Sequence, residues 1–338
     1  MQESDIKISV VVPMYNMAEY IDECLESVVS QMDEKVEVIV CDDKSTDNSL
    51  EIVRKNWGEK VKIVAADTNR GLLGTRIEGL KYVRGGYVLF LDADDKLAEG
   101  ALAAYFKILK EDNYDIIRGN YYEFSSKKRK KIVRHEDEKI FRNEKRELLY
   151  KPALMSPKFN TVWGQIIRKN VIDNAKLRDD VAMGEDIVFN YACYEMAEKI
   201  RLTGAAVYEY RKNERSMTHD RSETRAVRNL QDTYKMSEAV TKFYQEMGDE
   251  DLVKLAFIMY LRYIDLYILK LIRDTKNMEL AREKCREMMT HPLTEEARKV
   301  LKKSDIYCKK MRLLLEYILD NNEKSYLRVA KMVARFAK

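Results

Sequence analysis

The sequence predicts an α/β fold with a mainly parallel sheet flanked by helices, followed by a helical C-terminal region. Three observations carry this. Short β-branched or aromatic runs alternate with amphipathic stretches of helical length through the first hundred or so residues. Each run ends in a polar or acidic cluster, as strands do when a sheet gathers its ligand-binding groups at one edge. Beyond about residue 222 the chain reads as helix throughout, rich in Leu, Met, Tyr, Lys and Glu, with Gly248 and Pro292 as its interruptions.

The elements follow in order. Ile8 to Val12 is a β-branched strand stopped by Pro13, and Ile21, Leu25, Val28, Val29 and Met32 then recur at helical spacing. Val36 to Val40 is a second strand ending at Asp42-Asp43. Asp47 or Ser45 can cap the helix that carries Leu50, Val53 and Trp57, and Gly58 closes it. Val61 to Ala66 is a third strand and Leu72 to Val83 a third helix. Tyr87 to Leu91, entered from Gly85-Gly86, is a continuous apolar run and so a fully buried strand, and Leu97 to Leu109 is the next helix. Right-handed crossovers between such units build a parallel sheet. After about residue 115, Ile116 to Tyr122 is a further strand candidate and Lys127 to Lys131 a basic cluster, read as an exposed hairpin or loop before a binding patch. Val162 to Ile167 and Ala206 to Tyr210 are short strand-like segments with the helix-like 186–196 between them.

Composition excludes several classes. With 338 residues and 46% hydrophobic content the chain can bury a large core. Its 61 basic and 57 acidic side chains leave only +4, so nothing global points to nucleic acid. Cys24, Cys41, Cys193, Cys285 and Cys308 are odd in number and widely spaced, which suggests buried free thiols in a reducing compartment. Glu3 and Asp5 precede the first apolar run, unlike a signal peptide, and Lys254, Arg262, Asp265 and Lys270 interrupt the most hydrophobic later segment, Leu252 to Ile272. A cytoplasmic protein with a buried core helix is expected.

The chemistry concentrates at the strand ends. Asp92-Ala93-Asp94-Asp95 sets three carboxylates where the fourth strand stops. The cluster is either a solvated acidic turn capping the next helix or a hard-cation site, since Mg²⁺ and Mn²⁺ take carboxylate oxygens and bridge them to phosphates. Pro13-Met14-Tyr15-Asn16, Asp42-Asp43-Lys44-Ser45 and Asp67 to Gly71 end the other strands. No Gly-rich phosphate loop follows the first strand, so neither a dinucleotide fold nor a P-loop fits.

Val11 to Asn16, Asp42 to Asp47, Asn69-Arg70-Gly71 with Arg76, Phe90 to Asp95, and Gly184-Glu185-Asp186 together resemble the ordered signature of family 2 glycosyltransferases. The resemblance covers about residues 6–220. It implies a GT-A fold and an inverting transfer from a nucleotide sugar, assisted by Mn²⁺ or Mg²⁺, to a glycan or lipid-linked acceptor. On that resemblance Asp43 meets the N3–H of uracil, Pro13 and Tyr15 frame the base, and Arg76 lies near the nucleotide. Asp92 holds the ribose and Asp94 the metal, with Asp95 as a second metal contact. Asp186 is the base, and its neighbour Glu185 is a like charge that can raise a pKa. Two positions depart from the pattern: Lys44 stands where Gly is common, and Thr75-Arg76-Ile77 replaces Ala-Arg-Asn. Thymine and guanine also present an N–H to an Asp, so UDP is an expectation from the family.

Four further residues are candidates. Arg211 or Arg215 can meet a diphosphate. His219 is a third metal ligand or a surface histidine, and Trp163 stacks on an acceptor sugar or packs in the core. The expected domains are 1–220, with a nucleotide-binding half of about 1–115 and an acceptor half of about 116–220, and a helical region of 221–338. In its last helix Arg328, Lys331, Arg335 and Lys338 share one face, opposite Tyr326, Val329, Ala330, Val333 and Ala337. Such a helix lies on an anionic membrane through residues 324–338, or packs on the protein with a solvated basic face. The rival readings are a sugar nucleotidyltransferase and a non-catalytic nucleotide-binding protein of the same fold.

Overall fold

The computed structural model describes residues 7–125, 128–156, 159–177, 184–212, 222–302 and 312–336. The chain packs as two compact units, Met1–Leu149 with Lys158–Asn213, and Tyr150–Pro157 with Glu214–Lys338.

Among the described residues of the first unit ten strands form one sheet. They are β1 Ile8–Met14, β2 Val36–Asp42, β3 Lys62–Ala65, β4 Tyr87–Phe90, β5 Lys96–Leu97, β6 Ile116–Phe124, β7 Arg129–Ile132, β8 Glu138–Phe141, β9 Gln165–Arg168 and β10 Lys199–Arg211. The order is β3-β2-β1-β4-β9-β6-β10-β5, with β7 on β6 and β8 on β10. The parallel arrangement holds across β3-β2-β1-β4. Past β4 the sheet is mixed, because β9 runs antiparallel to both β4 and β6 while β6 and β10 are parallel. Every residue of β1 and β2 is buried, as expected of central strands covered on both faces.

The helices of this unit are α1 Ile21–Val29, α2 Ser49–Trp57, α3 Gly71–Leu80, α4 Ala101–Glu111, α6 Lys169–Asn174 and α7 Glu185–Met196; α5 Lys151–Met155 belongs to the second unit. α3 lies hard against the sheet, since a Cβ on Gly79 would sit 2.6 Å from Val11 Cγ1 and 2.8 Å from Cys41 Sγ. α4 begins later than the apolar pattern suggests. Lys96 and Leu97 pair with β10, and only past the left-handed Gly100 does the helix start. Gly58 ends α2 in a right-handed conformation. Of the basic cluster, Arg129, Lys130 and Lys131 lie exposed on the hairpin strand β7, where Arg129 meets Glu209 and Lys131 donates to the Gly204 carbonyl, and Lys127 lies outside the described residues.

In the second unit the helices are α8 Glu223–Met247, α9 Glu250–Thr275, α10 Met278–Thr290, α11 Pro292–Val300, α12 Arg312–Leu319 and α13 Glu323–Phe336. Ser222, Asp249 and Asn277 side chains accept backbone N–H groups at the starts of α8, α9 and α10, and Gly248, left-handed, ends α8. α9 is the core helix, with Leu252, Phe257, Leu261, Ile264, Ile268 and Leu271 buried. Among the described residues no helix is long and apolar enough to cross a membrane. The four described cysteines are buried and free; Cys308 lies outside the described residues.

Candidate active site

Two loops at the ends of β1 and β2 are bonded to each other. Asn16 donates its N–H to Ser45 Oγ at 3.0 Å, and its Oδ1 accepts the N–H of Thr46 at 2.7 Å. The arrangement requires left-handed backbone at Asn16 (φ 55°) and Lys44 (φ 64°). Asn tolerates that conformation, whereas Lys does so at a steric cost that Gly would not bear. The departure noted at Lys44 therefore falls on a position whose geometry favours Gly. Pro13 is buried in β1, and Tyr15 just beyond it is 42% exposed.

Asp43 is buried, and its two oxygens accept the N–H groups of Arg70 (2.7 Å) and Gly71 (2.9 Å) at the start of α3. Asn69 donates to the Asp43 carbonyl. The Asn-Arg-Gly motif thus locks to the second strand end, and each Asp43 oxygen keeps a second lone pair for a ligand.

Arg76 reaches from α3 into the centre. It is 1% exposed; Nη2 donates to Asp92 Oδ1 at 2.8 Å and Nη1 to Asp186 Oδ1 at 2.6 Å. Rather than lying free for a nucleotide, its guanidinium joins the carboxylate at the end of β4 to the one on the first turn of α7. The Asp92 and Asp186 side chains keep 21% and 25% exposure, so both present an edge to solvent. Burial and Asp92 raise the Asp186 carboxyl, against Arg76, which lowers it. Burial first, and Asp186 second, push Glu185 up to about 7.

The rest of the acidic cluster divides by task. Asp95 is 1% exposed, and its oxygens accept from Tyr208 OH (2.8 Å) and the Arg211 N–H (2.7 Å), so it ties β10 to the strand end. Tyr208 OH in turn accepts the Asp92 N–H. Asp94 is pushed up to about 6 by burial and by Asp92, a cost that a cation between the two would remove. Among the described residues no three His, Cys, Asp or Glu are grouped to hold a metal. Asp92 and Asp94 are the two carboxylates here that could hold a divalent ion, a hard cation that takes oxygen ligands.

Arg211 lies over this loop, donating from Nε to the Asp94 carbonyl at 2.7 Å and pairing with Glu23, which also holds Lys96. Arg215 and His219 lie outside the described residues. Trp163 is 6% exposed and stacks on Tyr208 (4.4 Å, 10°) and Tyr210, which favours the core reading over an open platform for a sugar.

Residues without a sequence signal complete the site. Val162 donates its N–H to Asp186 Oδ2 at 3.3 Å. The loop carrying it is held by Asn190, one turn beyond Asp186, which donates to the Thr161 carbonyl. Gln165 holds Asn190, and the buried Arg118 holds both Gln165 and Thr161 Oγ1. These contacts span up to 47 positions, for which spacing offers no clue.

A sheet that gathers acidic strand ends at one edge, opposite a further carboxylate on a helix start, is the architecture of a GT-A glycosyltransferase. The model of Glycosyl transferase family 2 matches residues 9–173, and the chain carries a family 2 glycosyltransferase domain. Among its relatives is Uncharacterized glycosyltransferase EpsJ of Bacillus subtilis (strain 168), 27% identical over 71% of this chain and 70% of that one. Another is UDP-Glc:alpha-D-GlcNAc-diphosphoundecaprenol beta-1,3-glucosyltransferase WfgD of Escherichia coli, 31% identical over 35% of this chain and 46% of that one. The chain thus spans less than half the length of the second relative. The crystal structure of S. aureus TarS 1-349 in complex with UDP-GlcNAc shares the fold, with a TM-score of 0.65 and 20% identity over 98% of this chain and 92% of that one.

Proposed function

We propose that the chain is an inverting transferase that moves a sugar from a UDP-sugar to a hydroxyl of a glycan or lipid-linked acceptor, in bacterial surface polysaccharide synthesis. The names of the relatives, one with UDP-Glc and a diphosphoundecaprenol acceptor and one solved with UDP-GlcNAc, support donor and acceptor class. The observation that carries the mechanism is Arg76, whose single guanidinium holds Asp92 and Asp186.

In this reading Asp43, Pro13 and Tyr15 receive the base, and Asp92 the ribose. Asp92 and Asp94 would hold Mn²⁺ or Mg²⁺, which when bound neutralises charge on the departing diphosphate. Asp186 accepts the proton of the acceptor hydroxyl through the edge left exposed beside Arg76 and the Val162 N–H. The hydroxyl oxygen bonds to the anomeric carbon from the face opposite the diphosphate as that C–O bond breaks, which inverts the centre. Arg76 and Val162 fix the Asp186 carboxylate while Asp92 keeps Arg76 paired, so the proton acceptor is oriented before substrate arrives. Arg211 beside the Asp94 carbonyl can exchange Glu23 for a diphosphate oxygen.

The test is calorimetric titration with UDP, with and without Mn²⁺, beside Asp94→Ala. Saturable, Mn²⁺-dependent binding lost in the variant is expected. Binding of GDP or dTDP in place of UDP overturns the base assignment. Product formation from UDP-sugar without pyrophosphate excludes a nucleotidyltransferase, and binding without donor turnover would leave the non-catalytic reading standing.

A further inference from the structure

The last helix spends its apolar side on its own unit. Tyr326 and Ala330 are fully buried, and Tyr326 OH donates to Asp265 Oδ1 of α9 at 2.7 Å. That side is therefore not available to a bilayer, as the amphipathic pattern alone allowed. Arg335, Ala337 and Lys338 side chains lie outside those described.

What α13 leaves open is a groove against α10, of about 520 Å³, lined by Arg282, Lys324, Leu327, Arg328, Lys331 and Met332. Four of these six are cations, and no carboxylate stands among them. Lys324 and Arg328 are four apart, Arg328 and Lys331 three apart, so like charges adjoin on one helix face and destabilise it until an anion joins them. The acidic residues that adjoin these cations in sequence face elsewhere, Glu323 towards Arg286 and Glu283 towards Lys284. Met332 is 56% exposed, and Leu327 is half-buried beside it. A free phosphate would use the cations alone, whereas a phosphate carried on an acyl chain uses both parts of this lining.

We infer that the groove seats the headgroup phosphate of an anionic phospholipid, with Leu327 and Met332 against its first methylenes, and docks the second unit on an anionic membrane surface. The contact uses the basic face and the groove, with α13 remaining folded on α9. It stands apart from the donor-site reading, because it depends on no residue of the first unit.

The test is co-sedimentation of the full chain with phosphatidylcholine vesicles, with and without phosphatidylglycerol. Binding confined to the phosphatidylglycerol vesicles and weakened by salt is expected. A variant carrying Lys324→Gln, Arg328→Gln and Lys331→Gln should bind about 100-fold more weakly. Met332→Asp, which keeps every cation, should also bind more weakly. Superimposable thermal melts check the fold, and UDP binding by the same variants separates this inference from the donor site. Undiminished vesicle binding by the triple variant, equal binding to neutral vesicles, or no binding to either overturns it. So does inorganic phosphate displacing the protein from vesicles at constant ionic strength, which would make the groove a free-phosphate site.

Discussion

Asp186 in the first unit and Asp265 in the second are both carboxyls raised by burial, but they are held in opposite ways. Asp186 shares the Arg76 guanidinium with Asp92 and keeps one edge open. Asp265 is fully buried, its Oδ1 accepts from Tyr326 OH, and burial pushes it up to about 7; among the described residues its Oδ2 has no hydrogen-bond partner. A cation brought to the first site keeps a carboxylate charged near solvent, as proton transfer demands. A lone hydroxyl in the second leaves the neutral acid as the cheaper state. The difference teaches that burial alone does not make a reactive carboxylate.

The sharpest break of this comparison is Asp186→Asn, which should cut transfer by about 10² to 10⁴-fold while UDP binding persists; normal turnover would remove Asp186 as base. In the same assay Glu185→Gln should lower the apparent pKa of the rate, because it removes a charge coupled to Asp186. Next in size, Arg76→Met leaves Asp92 and Asp186 facing each other without a cation, and should lower stability at neutral pH by about 3–5 kcal/mol in denaturant melts. A loss that vanishes at acid pH, where both carboxyls are neutral, would tie the effect to charge.

Asp265 gives a smaller, graded effect. Its folded value lies above the ordinary one, so between the two the native chain holds a proton that the unfolded chain has released. Stability therefore falls as pH rises from about 4 towards 7, by up to about 1.4 kcal/mol per unit, and is flat beyond. Asp265→Asn should remove that slope and be the more stable protein at pH 8; an unchanged slope would place it elsewhere. Smallest is Lys44→Gly, expected to add about 1 kcal/mol by relieving left-handed strain at φ 64°.

The alternation of β-branched runs and helical spacing made β1 to β4 legible to within a few residues, because both patterns are local. The mixed half of the sheet was not: β9 and β10 are short or bulged and owe their places to partners far along the chain. The acidic strand ends and Glu185-Asp186 were legible as candidates, but their division of labour was not. Asp95 reads like Asp94 until Tyr208 and the Arg211 N–H occupy its oxygens. Trp163 is an undecided aromatic until Tyr208 and Tyr210 stack on it.

What the sequence by itself determined is the inventory: α/β units, carboxylates at strand ends, a Lys where glycine is favoured, and a final helix with a basic face. Those follow from side-chain type and period, which act over a few residues. Only the tertiary structure decided that Arg76 joins Asp92 to a carboxylate 110 positions away, and that Tyr326 turns inward to Asp265. A buried charge must find its partner wherever the packed chain brings one within about 3 Å, and no local pattern encodes that distance.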